Sequence, residues 1–189
     1  MARLQREEAE KDAVRMAAAM MAASARTAPK ARGVDAIETM ILDGDDLEEL
    51  AVAMERKAEE KPPHLSSVFR RDAGNVRSSN SVLLIGVMGH PKKIEQPLDC
   101  GACGYGNCEG LARSEKRAKD FGGPICIFQA MDLGIALGSA VKLASEFNVD
   151  NRMMYTIGAA AKKLRLLDSD IVIGIPLSVT GKSIYFDRK

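Results

Sequence analysis

Cys100, Cys103, Cys108 and Cys126 are the four cysteines of the chain, and they follow the spacing Cys-x2-Cys-x4-Cys-x17-Cys. Gly101, Gly104 and Gly106 sit between the first three. Glycine lets a backbone wrap a compact object and adopt positive φ at little steric cost. Four thiolates complete a site for a soft metal or an iron–sulfur cluster. Three chemistries compete. Disulfides belong mainly to oxidising compartments. The opening Gln5-Arg6-Glu7-Glu8-Ala9-Glu10-Lys11-Asp12 does not read as an export signal, and Cys100 and Cys103 lie too close in sequence to staple a fold. Zinc ribbons usually present two Cys-x2-Cys knuckles, and this chain has one. A [4Fe–4S] cubane spreads its ligands around a wider body, so uneven spacing with one distant ligand suits it best.

The run Asp99-Cys100-Gly101-Ala102-Cys103-Gly104-Tyr105-Gly106-Asn107-Cys108, with a fourth cysteine further on, resembles the short [4Fe–4S] module of certain electron-transfer proteins. That resemblance implies Cys100, Cys103, Cys108 and Cys126 as the cluster ligands. Three further segments widen it: Met131-Asp132-Leu133-Gly134-Ile135-Ala136-Leu137-Gly138-Ser139-Ala140, Asn148-Val149-Asp150-Asn151-Arg152, and the run from Gly174 to Arg188. Together they look like a prokaryotic family of small ferredoxin domain-containing proteins of unknown function. What this implies is a bound iron–sulfur cluster.

The cysteine stretch needs a scaffold. Its length and 46% hydrophobic content suffice for one core, so residues 1–189 read as a single domain with 98–126 as an inserted cluster-binding loop. An Ala-rich helix is expected over 4–25, with Val14, Ala17, Ala18, Met21 and Ala25 on its apolar face. A strand over 37–42 leads to a helix from Asp45 or Asp46 to about 60, buried through Leu47, Leu50, Ala51 and Met54. A short helix over 68–76 follows. Residues 81–88, apolar almost throughout, form the best strand in the chain, and it delivers the chain to the cysteines. A charged helix over 109–119 is expected between Cys108 and Cys126, with its lysines and arginines in solvent or forming a basic rim for an acidic redox partner. Residues 128–147 form a mostly apolar helix in which Ala130, Gly134 and Gly138 make a smooth stripe. A helix over 152–166 and strands over 170–176 and 184–186 complete the chain. His64 and His90 read as turn residues. Thr180-Gly181-Lys182-Ser183 lacks the earlier glycine and following helix of a phosphate loop.

A net charge of +1 gives no field that would draw nucleic acid. No stretch reads as the roughly 20 apolar residues of a membrane span. A cytoplasmic location is the expectation, and a reducing compartment suits free thiolates.

The expected class is α/β or α+β, a small central sheet flanked by helices. The element order, the small-residue central helix and the Arg26-Thr27-Ala28-Pro29-Lys30-Ala31 loop are similar to the nitroreductase flavoprotein fold. Lys30 stands where that family's loop has Ser. The resemblance implies a homodimer with FMN at the subunit interface, and Lys30, Arg32 and Arg188 at the FMN phosphate or ring. No residue reads as an evident general acid or nucleophile. Two functions follow: a redox enzyme whose cluster feeds a flavin, or a non-enzymatic carrier or assembly subunit, with structural zinc as the colourless variant of the second.

Overall fold

In the computed structural model, which describes residues 3–186, a four-stranded sheet separates two layers of helices. Helix α1 (Arg6–Thr27) leads through a single 3-10 turn (Ala31–Gly33) into β1 (Ile37–Asp43). Helices α2 (Asp45–Glu59) and α3 (Pro63–Arg77) follow, then β2 (Ser81–Val87). The cysteine stretch contains a short helix α4 (Cys108–Ala112) and a two-residue hairpin, β3 (Arg117–Ala118) with β4 (Gly122–Gly123). Helix α5 (Ile127–Glu146), β5 (Asp150–Asn151), α6 (Tyr155–Lys163) and β6 (Ile171–Ser178) complete the fold.

The strand order is β1-β2-β6-β5, and every pairing is antiparallel. Side chains alternate across a strand, so each strand feeds both faces. Leu83 of β2 sits between Ile41 and Ile175 in register, and all three face α1 and α5. Leu84 sits between Met40 and Gly174 and faces α2, α3 and α6. All seven residues of β2 are buried, because helices cover the sheet on both sides.

The expected apolar face of α1 is the buried one: Val14, Ala17, Ala18, Met21 and Ala25. Alanines here bring α1 close to α5. Glycines do the same for α6, where Gly158 lies against the backbone of β6 and Gly174 leaves room for Ile157.

Several elements differ from expectation. The helix expected over 68–76 begins at Pro63, since a proline in the first turn has no N–H to lose there. The charged helix expected over 109–119 stops at Ala112. Leu111 is its one buried residue, and an isolated helix without an apolar face is marginal. The strand expected over 184–186 is a turn, in which the Phe186 amide donates to Ser183 O. Its place at the sheet edge is taken by β5, which pairs with Ser178 and Leu177. Contrary to the expectation that no stretch suits a membrane span, α5 is long and apolar enough by length and composition. Here Leu133, Ala136, Leu137 and Ala140 pack into the core beneath it.

Candidate metal centre

The cysteine stretch leaves the end of β2, the central strand next to β6, as the sequence implies. Cys126 is its fixed point. It is buried, N-caps α5, and donates its amide to Gly89 O at 2.8 Å, two residues beyond β2. Cys100 is exposed, and Cys103 and Cys108 are half-buried. All four are free thiols.

Short-range bonds shape the loop that carries the first three. Asp99, at φ 45°, accepts the Cys108 amide on Oδ1 at 2.7 Å, which closes 99–108 into a ring. Gly101 and Gly104 have φ of 72° and 85°, and the Gly104 amide donates to Gly101 O. These are left-handed positions that glycine occupies without penalty. Asn107 caps α4 by accepting the Gly110 amide at 2.8 Å. A cavity of about 570 Å³ opens beside Cys103, between Tyr105, Arg117 and Pro124.

Among the described residues no group of three or more His, Cys, Asp or Glu is arranged to hold a single metal ion. The donor set fits an iron–sulfur cluster: four free thiols on one stretch, three on a glycine-rich loop and one anchored at a helix cap.

Asp170, unremarked in the sequence, fastens the stretch to the sheet. Its Oδ2 accepts the Gly89 amide at 2.6 Å and Lys116 Nζ at 2.9 Å, and its carbonyl accepts the Gly122 amide at 2.9 Å. Lys116 also donates to Pro124 O at 2.8 Å, so it braces the hairpin and is not a solvated lysine. Gly89 is required here because a Cβ would come within 2.4 Å of Ile125 Cγ2.

A second tie runs behind Cys126. Lys92 and Asp132 form an ion pair at 2.5 Å with both side chains 2% exposed. Lys92 also donates to Val34 O at 2.6 Å, and Asp132 accepts the Ala31 amide at 2.9 Å. Gln129, one turn earlier on α5, donates to His90 O. The loop after α1, the approach to the cysteines and the first turns of α5 are thereby joined. Gln129 and Asp132 are the polar residues in the otherwise apolar first half of α5, and that is the sequence signal for them.

Lys30 and Arg32 lie in the loop after α1, close to this tie. Lys30 Nζ donates to Ala25 O at 2.8 Å and to Arg26 O, capping the carbonyl end of α1. Its side chain is 5% exposed. Arg32, at φ 59°, donates to Gln96 O. Arg188 lies outside the described residues. His64 is exposed in the first turn of α3, and His90 reaches the site only through its carbonyl.

Beyond the hairpin, Asp120 is held by Lys57 at 2.6 Å, by Lys61 and by the Tyr155 hydroxyl. Tyr155 also packs edge-on to Phe69 and Phe121. Burial alone would raise the Asp120 carboxyl, but these hydrogen bonds outweigh it and hold the group well below the usual carboxylate range. Burial and Asp120 push Tyr155 up to about 12. A carboxyl held below its unfolded value adds stability above about pH 4, and that stability is lost as the pH falls. Asp120→Asn is therefore expected to flatten the acid side of the stability profile, read as urea midpoints from about pH 5 to pH 2. An unchanged acid slope would remove Asp120 from the account.

The architecture is a four-stranded antiparallel sheet with helix layers on both faces and a cysteine-rich stretch beyond β2. Solved structures with this fold include a nitroreductase-like family protein from Bacillus cereus (TM-score 0.56, 10% identity, 89% of this chain and 75% of that one). A BluB-like flavoprotein from Clostridium difficile 630 aligns at TM-score 0.54 and 14% identity, over 92% of this chain and 84% of that one. A nitroreductase with bound FMN from Desulfitobacterium hafniense DCB-2 aligns at 0.55 and 11%, over 88% and 78%. Residues 122–188 match the model of the family described as "Uncharacterized protein containing a ferredoxin domain (DUF2148)". An uncharacterized protein of Archaeoglobus fulgidus is 46% identical over 177 residues, 94% of this chain and 92% of its own length. The chain belongs to this ferredoxin domain-containing family and has a nitroreductase-like fold. Of the four cysteines, the matched span includes Cys126.

Proposed function

We propose that this protein is an iron–sulfur redox protein in which Cys100, Cys103, Cys108 and Cys126 hold a [4Fe–4S] cluster. The observation that carries the reading is the set of four free thiols on one stretch fastened to the end of a central strand. When bound, the cluster supplies one-electron transfer. The chain's own residues do the holding. Asp99 and the two left-handed glycines set the curvature of the ligand loop, and Asp170, Lys116 and the Gly89 carbonyl fix where Cys126 stands. Free thiols in this number suit a reducing, cytoplasmic setting.

The reading extends to a homodimer. Met131 and Ile135 on α5, with Met16 and Met20 on α1, are exposed apolar side chains on adjoining helices. Gly134 and Gly138 on the same face of α5 have no neighbour within 4 Å of where a Cβ would sit. A second copy covering this face would remove the patch from water.

FMN is the second cofactor of the proposal, supported by the fold alone. As placed, Lys30 is held by the Ala25 and Arg26 carbonyls and by Asp35 at 3.9 Å, and Arg32 by the Gln96 carbonyl, so a flavin phosphate at this loop requires one of them to exchange partners. Arg188 is proposed for the same phosphate. No step is routed through a flavin.

Protein purified without oxygen is expected to be brown and to carry about four irons and four acid-labile sulfides per chain. Flavin released by acid from the same sample would support the enzyme reading, and its absence would leave a carrier. A colourless protein with one zinc per chain would overturn the redox account.

A further inference from the structure

A cleft of about 370 Å³ lies between the C-terminal ends of α2 and α6 and the β3–β4 hairpin. That volume falls in the range of small-molecule sites. Phe121 lines one side, and Gly122 and Ala159 contribute almost no side chain to the cavity. Five lysines face three carboxylates across it.

The carboxylates are all occupied. Lys116 holds Asp170 at 2.9 Å, Lys57 holds Asp120 at 2.6 Å with Lys61 behind it, and Lys163 holds Glu60. Lys119 and Lys162 remain. Among the described residues neither pairs with a carboxylate, and Lys162 Nζ reaches only the Asp168 carbonyl, at 3.5 Å. Lysines in the last turn of a helix also serve its carbonyl end, which accounts for part of the charge at Lys162 and Lys163. Lys119 stands on the hairpin and serves neither helix. Two cations without counter-charges on one cleft leave a positive potential that an anion between them would satisfy.

We propose that this cleft binds a small phosphorylated molecule, with Lys119 and Lys162 on the phosphate oxygens and Phe121 against its organic part. An ammonium is a compact point charge suited to phosphate, and an aromatic wall takes an apolar body. The pairs at Asp120, Asp170 and Glu60 hold the rim in place, so the two unpaired lysines are presented on a fixed frame. The cleft includes none of the thiols, and it shares Lys116, Asp170 and Gly122 with the tie that fastens the cysteine stretch.

Calorimetric titration of the full chain with inorganic pyrophosphate at low salt tests it. Saturable binding is expected, with a dissociation constant raised about tenfold or more in the Lys119→Gln/Lys162→Gln variant, as loss of both cation contacts implies. Lys11→Gln, on α1 across the sheet, is expected to bind as the parent does. Far-UV circular dichroism checks the fold of each variant. Titration of AMP at the same salt is expected to give saturable binding that the double variant weakens likewise. Absence of saturation with pyrophosphate, equal binding by the double variant, or equal weakening by Lys11→Gln would overturn the proposal. So would saturation by an acidic peptide alone, which would assign the cleft to a protein partner. Iron content does not enter any of these readings, so failure here and failure of the cluster assignment are told apart.

Discussion

Gly158→Ala is expected to destabilise the protein by about 3 kcal/mol or more, at the upper end of overpacking costs. A Cβ at Gly158 would stand 1.7 Å from Val172 O, 2.5 Å from Val172 C and 3.1 Å from Ile173 Cα. These are backbone atoms of β6, and they cannot swing aside as a side chain would. Val172 is paired with Gly86 in the centre of the sheet, so moving it disturbs the β2–β6 ladder. Moving α6 instead would lift Ile157 out of the space left by Gly174, where its Cγ2 lies 2.0 Å from a notional Cβ. The gain in helix propensity from Gly to Ala, about 1 kcal/mol, is too small to compensate. Urea unfolding of the two proteins gives the answer, and an equal or higher midpoint for Gly158→Ala would mean α6 packs less closely than described. Gly74→Ala on α3 is the control, since nothing lies within 4 Å of its notional Cβ. It should be neutral or mildly stabilising.

Lys92→Ala is expected to cost about 3–5 kcal/mol, the range seen when one partner of a buried ion pair is removed. Asp132 would be left in a site 2% exposed, with the Ala31 amide as its remaining hydrogen-bond donor. The carbonyl of Val34 would lose its donor as well. Replacing both partners, as Lys92→Met with Asp132→Leu, should recover a large part of the loss, because no buried charge remains. Recovery stays incomplete, since the Ala31 amide then has no acceptor. Urea midpoints of the single and double variants measure this, and a loss below about 1 kcal/mol for Lys92→Ala would mark the pair as solvated. Because Lys92 lies on the approach to the cysteines, the single variant should also bind less iron on reconstitution.

Much of the scaffold was legible in the sequence because it follows from periodicity. The buried residues of α1, the stripe on α2 and the all-apolar β2 are repeats of 3.6 or 2 that each element must bury. The four cysteines stand out by their spacing, and the structure places them on one stretch beyond β2 as free thiols. What escaped depends on partners distant in sequence. Asp170 reads as an ordinary strand-edge carboxylate until Gly89, Lys116 and Gly122 gather around it. Lys116 sits in a run of charges that looks solvated, and Lys92 in a polar loop that gives no hint of burial. Asp150–Asn151 became the fourth strand although neither residue type favours strands, because an open edge of β6 was there to be paired.

The two apolar cores occupy opposite faces of the sheet, and neither includes Cys100, Cys103, Cys108 or Leu111. The protein can therefore complete its cooperative folding with the thiols still empty. Opening of 93–118 requires loss of a few polar ties and of Leu111 burial, and leaves both cores and the Lys92–Asp132 pair whole. In amide exchange this segment should behave as its own unit, trading protons far sooner than β2. On the proposed cluster reading, inorganic cofactor is delivered to, or stripped from, a finished scaffold, so that assembly of the centre and survival of the fold are governed by separate equilibria.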